Sequence, residues 1–429
     1  MHSKYLKSKN DNDYIERFIV AALGVWPLFE CIWVNIWPSV RLGGVWFAVD
    51  CLLGLAIASI AVSQTIKIGV YSGWLFFYAW IIVGIINGSA YRLKAERDLL
   101  VYVPLFFLCL CIKPNKKNKE VLIKVLFWCG LFVALTVLLD KSTNLFNEKL
   151  IGIYTDNAKK YKLGLSSTGG IIPSLGAAAC FIVHGLAAFF SGIRAKKRSL
   201  HIGDIIILSV FVVSFVILQK RGFLISSGAS AVLVWLIYAL FTRKNGIVEI
   251  NINKFFAGVL IAVLFVFIAL FLYKRVDFVQ DAVESFGSKF SREDETLSGR
   301  TVLYKLAFDL YSKSPIRGIG WGMYRRHTAG IFSRSSVVTY EVHNVYLQVL
   351  CETGLIGITM YLFAILSSLF AALRNLLKRL SCADDIEETE AVTLGLFFQF
   401  FYLIYGASGN PLYDYPFIAL YFIGLYLCL

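Results

Sequence analysis

The sequence predicts an all-α, polytopic membrane protein of about twelve transmembrane helices, on three observations. First, 58% of its 429 residues are hydrophobic and only 16% are charged, with a mean hydropathy of +0.69. A soluble domain of this length would not stay in solution with that composition. Second, apolar stretches long enough to span recur from end to end. Third, the basic residues between them fall on one parity. Each spanning helix satisfies its own backbone, so the chain can grow as a single membrane domain over residues 1–429.

The apolar stretches lie at about 18–37, 44–64, 69–88, 98–112, 121–139, 168–191, 202–219, 223–241, 255–273, 344–373, 391–409 and 415–429. Met1 to Arg17 is polar, with no small-residue cleavage site after it, so the first stretch reads as a retained span rather than a signal peptide. Basic clusters follow the fourth (Lys113, Lys116, Lys117, Lys119), sixth (Arg194, Lys196, Lys197, Arg198), eighth (Arg243, Lys244, Lys254) and tenth (Arg374, Lys378, Arg379) stretches. With Lys4, Lys7 and Lys9 at the N-terminus, the positive-inside bias puts all five segments, and both termini, in the cytoplasm. The formal charge of +14 is thereby a matter of topology, and nucleic acid is not expected as a partner. Most of the nine cysteines lie in apolar runs, where Cys is a small buried hydrophobe, and their spacing suits neither a metal site nor a disulfide framework.

By the same parity, residues 274–342, between the ninth and tenth spans, form one large extracytoplasmic loop. Within it Leu303, Leu306, Ala307 and Leu310 recur at helical spacing. They predict an amphipathic helix on or near the membrane surface, opened by Ser298, Gly299 and Arg300 and ended by Ser314 and Pro315.

Three groups of residues on that outer side could carry chemistry. Gln219, Lys220, Arg221 and Gly222 sit at a junction with almost no loop. Arg221 there is either a topology anchor or, since positive charge outside runs against the usual bias, part of an anion site. Arg300 either lies on a solvated face or binds phosphate by forked hydrogen bonds, helped by a helix N-terminus. The run after it, Ser314 to Gly322, matches no nucleotide fingerprint and reads as a tight turn that lets backbone approach a neighbour. The third group is His343 with Asn344, then Glu352, Gly354 and Gly357. His343 is either structural or a general base matched to neutral pH. Glu30 and Asp50 read as polar contacts inside the bundle and Asp204 as an interface residue.

The stretch from Leu297 to Gly357 resembles the O-antigen ligase and polymerase family, bacterial membrane glycosyltransferases of the C superfamily. The likeness rests on SGR at Ser298 to Arg300, SPIRGIGWG at Ser314 to Gly322, and HN at His343 and Asn344 followed by nine residues and GLIG at Gly354 to Gly357. Arg221 in QKRG corresponds in position to an upstream arginine of the family. The resemblance implies a C-superfamily-like helix bundle in the bacterial inner membrane with its active site facing the periplasm. It implies transfer of a glycan from undecaprenyl diphosphate to an acceptor hydroxyl, without cofactor or metal. His343 would be the base. Arg300 and Arg221 would stabilise the leaving diphosphate, and Lys220, Arg317, Asn344, Arg325 and Arg326 would widen the substrate site. The acceptor is a second lipid-linked repeat unit in a polymerase, which is the preferred reading, or lipid A core in a ligase; a chain-length regulator is a further implied partner. From outside that family, a polysaccharide transporter or flippase would also explain twelve spans, and Gly169, Gly170 and Pro173 in the sixth stretch form the one conspicuous helix break such a protein would need.

Overall fold

The structure is a computed structural model. It describes residues 2–36, 72–87, 112, 114–146, 169–172, 174–197, 199–218, 220–244, 247–250, 253, 256, 293–328, 340–381 and 386–429. The spans expected at 44–64 and 255–273, nearly all of the one at 98–112, and Asp50 lie outside the described residues.

The described chain is overwhelmingly helical. Apolar helices run over His2–Ile36 (α1), Ser72–Ile86 (α2), Lys116–Thr143 (α3), Leu175–Ala195 (α4), Ile202–Leu218 (α5) and Arg221–Leu240 (α6). After them come the helices Glu293–Lys313 (α7) and Met323–His327 (α8), then Val345–Ser381 (α9), Ile386–Gly406 (α10) and Tyr415–Cys428 (α11). Among the described residues, four helical stretches are long and apolar enough to cross a membrane: Lys116–Thr143, Leu175–Ala195, Arg221–Tyr238 and Val345–Leu380. The nine expected spans that fall on described residues all coincide with helices.

Two elements differ from expectation. The stretch expected to span from residue 168 is not a broken helix. Gly169 pairs with Ile172 in a tight turn, and α4 begins only after Pro173, with Ser174 accepting the Ala177 N–H at 3.3 Å as its N-cap. The glycines are needed there because the turn is pressed against α3: a Cβ on Gly170, at φ +68°, would lie 2.6 Å from the Thr136 carbonyl carbon. The second difference is a short antiparallel ribbon, Phe241–Lys244 (β1) with Ile247–Ile250 (β2). The intervening residues, Asn245 and Gly246, are the strongest short-range hairpin signal a sequence carries. The basic reading of Arg243 and Lys244 passed over it.

The bundle is organised by α3, which packs against α1, α4 and α5, and by α10, which packs against α4, α6, α9 and α11. Small residues bring the axes close: at the α3–α4 crossing a Cβ on Gly130 would sit 2.6 Å from Gly185 Cα. One end of the bundle is tied by ions. The first five residues of α10 include Glu387, Glu388 and Glu390, which meet Lys116 at 2.8 Å, Lys119 at 2.6 Å with Arg379 at 3.3 Å, and Arg194 at 3.1 Å. These cations come from three of the basic clusters. The far end of α10 is about 27 Å away at 1.5 Å rise per residue. There Gly406 lies against Val345, and the following turn lies beside Gly222.

The Candidate active site

Every functional candidate with a described position lies at that far end, and the local sequence explains how each is held. Lys220 occupies the N-cap position of α6 and Arg221 is its first residue. The Nη1 nitrogen of Arg221 is sealed from solvent. Next to it, a Cβ on Gly222 would lie 3.5 Å from Ser408 Oγ and 3.8 Å from the Tyr405 ring.

Arg300 is exposed on α7, but it does not open that helix. The helix starts at Glu293, where Glu293, Asp294 and Glu295 suit the positive end of the helix dipole. Arg300 therefore stands two turns inside, and the expected contribution of a helix N-terminus to its anion site is withdrawn. The stop at Ser314 and Pro315 is as the sequence reads. The apolar face of α7 packs inside the protein: Leu303, Ala307 and Leu310 are buried against Tyr324, Val342, Leu347 and Cys351. Tyr324 also donates its hydroxyl to the Leu303 carbonyl at 2.8 Å.

The Gly-rich run makes the close approach expected of it. Gly318, Gly320 and Gly322 all have positive φ, at +73°, +105° and +76°. The run docks, backbone to backbone, on a kink in α9 at Gly354 (φ +67°, ψ −169°). Ile319 N–H donates to the Cys351 carbonyl at 3.0 Å and Gly320 N–H to that of Glu352 at 2.9 Å, while Leu355 N–H donates back to Pro315 at 2.9 Å. Below the joint, the buried Glu352 carboxylate accepts from Gly322 N–H at 2.8 Å, Tyr324 N–H at 3.2 Å and the Tyr413 hydroxyl at 2.8 Å. Three donors from two separate segments thus converge on one acid.

His343 keeps a solvent-facing edge above a partly buried ring and sits in the left-handed region at φ +60°, an uncommon conformation for a non-glycine residue that its surroundings hold in place. They do so from both sides. Asn344 Oδ1 accepts the Leu347 N–H at 3.0 Å and so caps α9. The fully buried Gln348 reaches back to accept the Val342 N–H at 3.1 Å and to donate to Glu341. Asn344, expected at the substrate, thus has its side-chain oxygen engaged in a cap. Arg325 is turned toward Glu341, 3.3 Å away. Arg317 and Arg326 are exposed.

Lys220, Arg300 and His343 lie within electrostatic reach of one another. Burial, then the Arg300 charge, pushes the Lys220 ammonium below its ordinary pKa. The His343 imidazole is lowered by partial burial, then by Arg300; Glu341 opposes the shift and Lys220 adds to it. A neutral imidazole beside cations is an arrangement suited to taking a proton while a neighbouring anion is held. Tyr405, within reach of Arg300, and the turn carrying Ser408 complete the wall toward Arg221. Sequence reading missed Glu352 as a clamp, Gln348, Tyr405 and Tyr413. Their signal is tertiary: only the fold shows what each one faces.

Known proteins share this part of the chain. The sequence model of the O-Antigen ligase family matches residues 205–362, which take in α5, α6, α7, the Gly-rich run, His343 and the α9 kink. Over these residues the chain is similar to the O-antigen ligase family. The exopolysaccharide production protein ExoQ of Rhizobium meliloti (strain 1021) is 28% identical over 111 residues, or 24% of this chain. The chain spans 24% of the length of that relative. The four helices long and apolar enough to span fit a multi-pass membrane protein, and part of the chain is similar to O-antigen ligases.

Proposed function

We propose that the protein is a membrane glycosyltransferase of surface-polysaccharide synthesis that moves a glycan from undecaprenyl diphosphate to a sugar hydroxyl, as a repeat-unit polymerase. The observation that carries this reading is the grouping of Lys220, Arg300 and His343 at one end of the bundle. His343 takes the proton of the acceptor hydroxyl as its oxygen bonds to the anomeric carbon. The bond from that carbon to the diphosphate oxygen breaks, and the electron pair leaves with undecaprenyl diphosphate. Arg300, Lys220 and Arg221 neutralise the charge that develops on the leaving group. With cations supplying that neutralisation, the reaction on this reading runs without a metal, and a chelator leaves its rate unchanged.

An apolar groove of about 670 Å³ supports a lipid-linked donor. Leu224, Ser227, Gly228, Ala231 and Trp235 line it along α6, starting one turn beyond Arg221, so a diphosphate at Arg221 would lay its isoprenoid tail there. The reactive end faces the periplasm of a bacterial inner membrane, with residues 274–342 as its outer loop and the ion-paired end in the cytoplasm. The positive-inside bias supports this orientation, since Lys116, Lys119, Arg194 and Arg379 all meet at the ion-paired end. Transfer to lipid A core is the second reading, favoured by the family description itself.

The test is gel analysis of glycans from cells that lack the native gene and carry wild type, His343→Ala, Arg300→Ala or Arg221→Ala at matched membrane levels. Loss of long-chain glycan in each variant is the expected result. Single repeats left on the outer lipid identify a polymerase, and free polymer on the carrier a ligase. Unchanged glycan in all three variants overturns the proposal in favour of transport.

A further inference from the structure

We infer that Asn410, in the turn between α10 and α11, is a glycan-binding residue of this site that hydrogen-bonds the sugar next to the bond being broken. The inference rests on the proposed glycosyl transfer and assigns that site a group which neither the motifs nor the family match singles out. Asn410 is 4% exposed, and neither its Nδ2 nor its Oδ1 has a hydrogen-bond partner. A buried amide left this way is costly, because its donors and acceptor have lost water and gained nothing. The rest of the turn is well satisfied. The Asn410 carbonyl accepts the Tyr413 N–H at 3.0 Å, and the Tyr413 hydroxyl reaches Glu352 at 2.8 Å. The backbone is therefore pinned while the amide is left over.

The place of the turn indicates what the amide serves. Gly409 lies flat on Tyr405, where a Cβ would come within 2.5 Å of the ring. Ser408 Oγ lies beside Gly222, next to Arg221, and Gly406 lies against Val345, two residues after His343. The turn that carries Asn410 thus adjoins both elements, the one with the cation and the one that follows the base. An amide offers two donors and one acceptor, which matches the vicinal hydroxyls of a pyranose and makes a poor match for diphosphate, which takes cations.

The full-length chain, purified in detergent, tests this with two probes: undecaprenyl diphosphate carrying its native repeat unit, extracted from cells lacking the protein, and undecaprenyl diphosphate alone. Asn410→Ala is expected to weaken binding of the glycan-bearing probe roughly 10- to 100-fold, since the sugar loses its buried partners. Binding of the bare diphosphate stays at the wild-type level. Arg300→Ala weakens both. The melting temperature of Asn410→Ala without ligand stays unchanged or rises, because nothing in the unliganded chain bonds the amide. Equal affinity of wild type and Asn410→Ala for the glycan-bearing probe overturns the inference. So does a lowered melting temperature with both probes weakened alike, which is the mark of a structural role. Failure of wild type itself to bind or transfer the glycan overturns the proposed function instead.

Discussion

Removing the Glu352 carboxylate should release the Gly-rich run from α9 and disarm the site without touching a reactive residue. Glu352→Ala deletes the acceptor of three buried donors, Gly322 N–H, Tyr324 N–H and the Tyr413 hydroxyl. A buried donor left unsatisfied costs about 1–3 kcal/mol, so three would cost about 3–9 kcal/mol if the cavity stayed dry, and the low end if water enters. Glu352→Gln is the informative companion. Oε2 serves two of the donors and Oε1 the third. An amide oxygen at the Oε2 position keeps two bonds and sets an NH2 group against Tyr324 N–H, for a loss of about 1–3 kcal/mol. The expected order of melting temperature in detergent is therefore wild type, then Gln, then Ala, with glycan transfer falling in the same order. A Glu352→Ala protein that melts with wild type would refute the assignment of the carboxylate as the clamp. Equal melting of the Ala and Gln variants would refute the bond-by-bond reasoning.

Two further predictions follow from charge. His343 must be neutral to act as a base and its pKa is held below the ordinary value, so the transfer rate should rise with pH on the acid side with its midpoint below that of an ordinary imidazole. Arg300 is one cause of that lowering, so Arg300→Met, assayed for whatever rate remains, should move the acid limb to higher pH; a limb that stays put or moves down counts against the coupling. At the other end of the bundle, Lys119→Met strips a buried Glu388 of its nearest cation. It should lower stability by about 3 kcal/mol, at the low end for a broken buried pair because Arg379 remains. Thermal unfolding checks this, and a loss below about 1 kcal/mol would mean that the pair is not shielded from solvent.

The helices were legible because lipid imposes a simple rule, long apolar stretches with basic residues between them; each described apolar stretch is helical, and four are long and apolar enough to span. The α7 stop was legible from Ser314 and Pro315. Its start was not, because the family-like SGR drew attention away from the acidic triplet at Glu293 to Glu295 that begins the helix. The break before α4 was seen but read as internal, since Gly169, Gly170 and Pro173 look the same whether they interrupt a helix or precede one. At the site, the chain order of Arg221, Arg300 and His343 could be read, but not the partners that hold them. Gln348 and Glu352 look like ordinary polar residues in an apolar helix until the fold turns them toward Val342 and Gly322.

The joint between the Gly-rich run and the α9 kink is made of main chain. Its donors and acceptors belong to every amino acid but proline, and beside the Glu352 clamp it asks for the missing Cβ at Gly318 and Gly354, where one would collide with backbone at 2.4 and 2.3 Å, and for the positive φ of Gly320 and Gly322. Ile316 and Arg317, by contrast, project outward from the same turn. Their identities can drift through descent while the joint stays intact, so a lineage can change the chemistry of this rim without first rebuilding the frame beneath it.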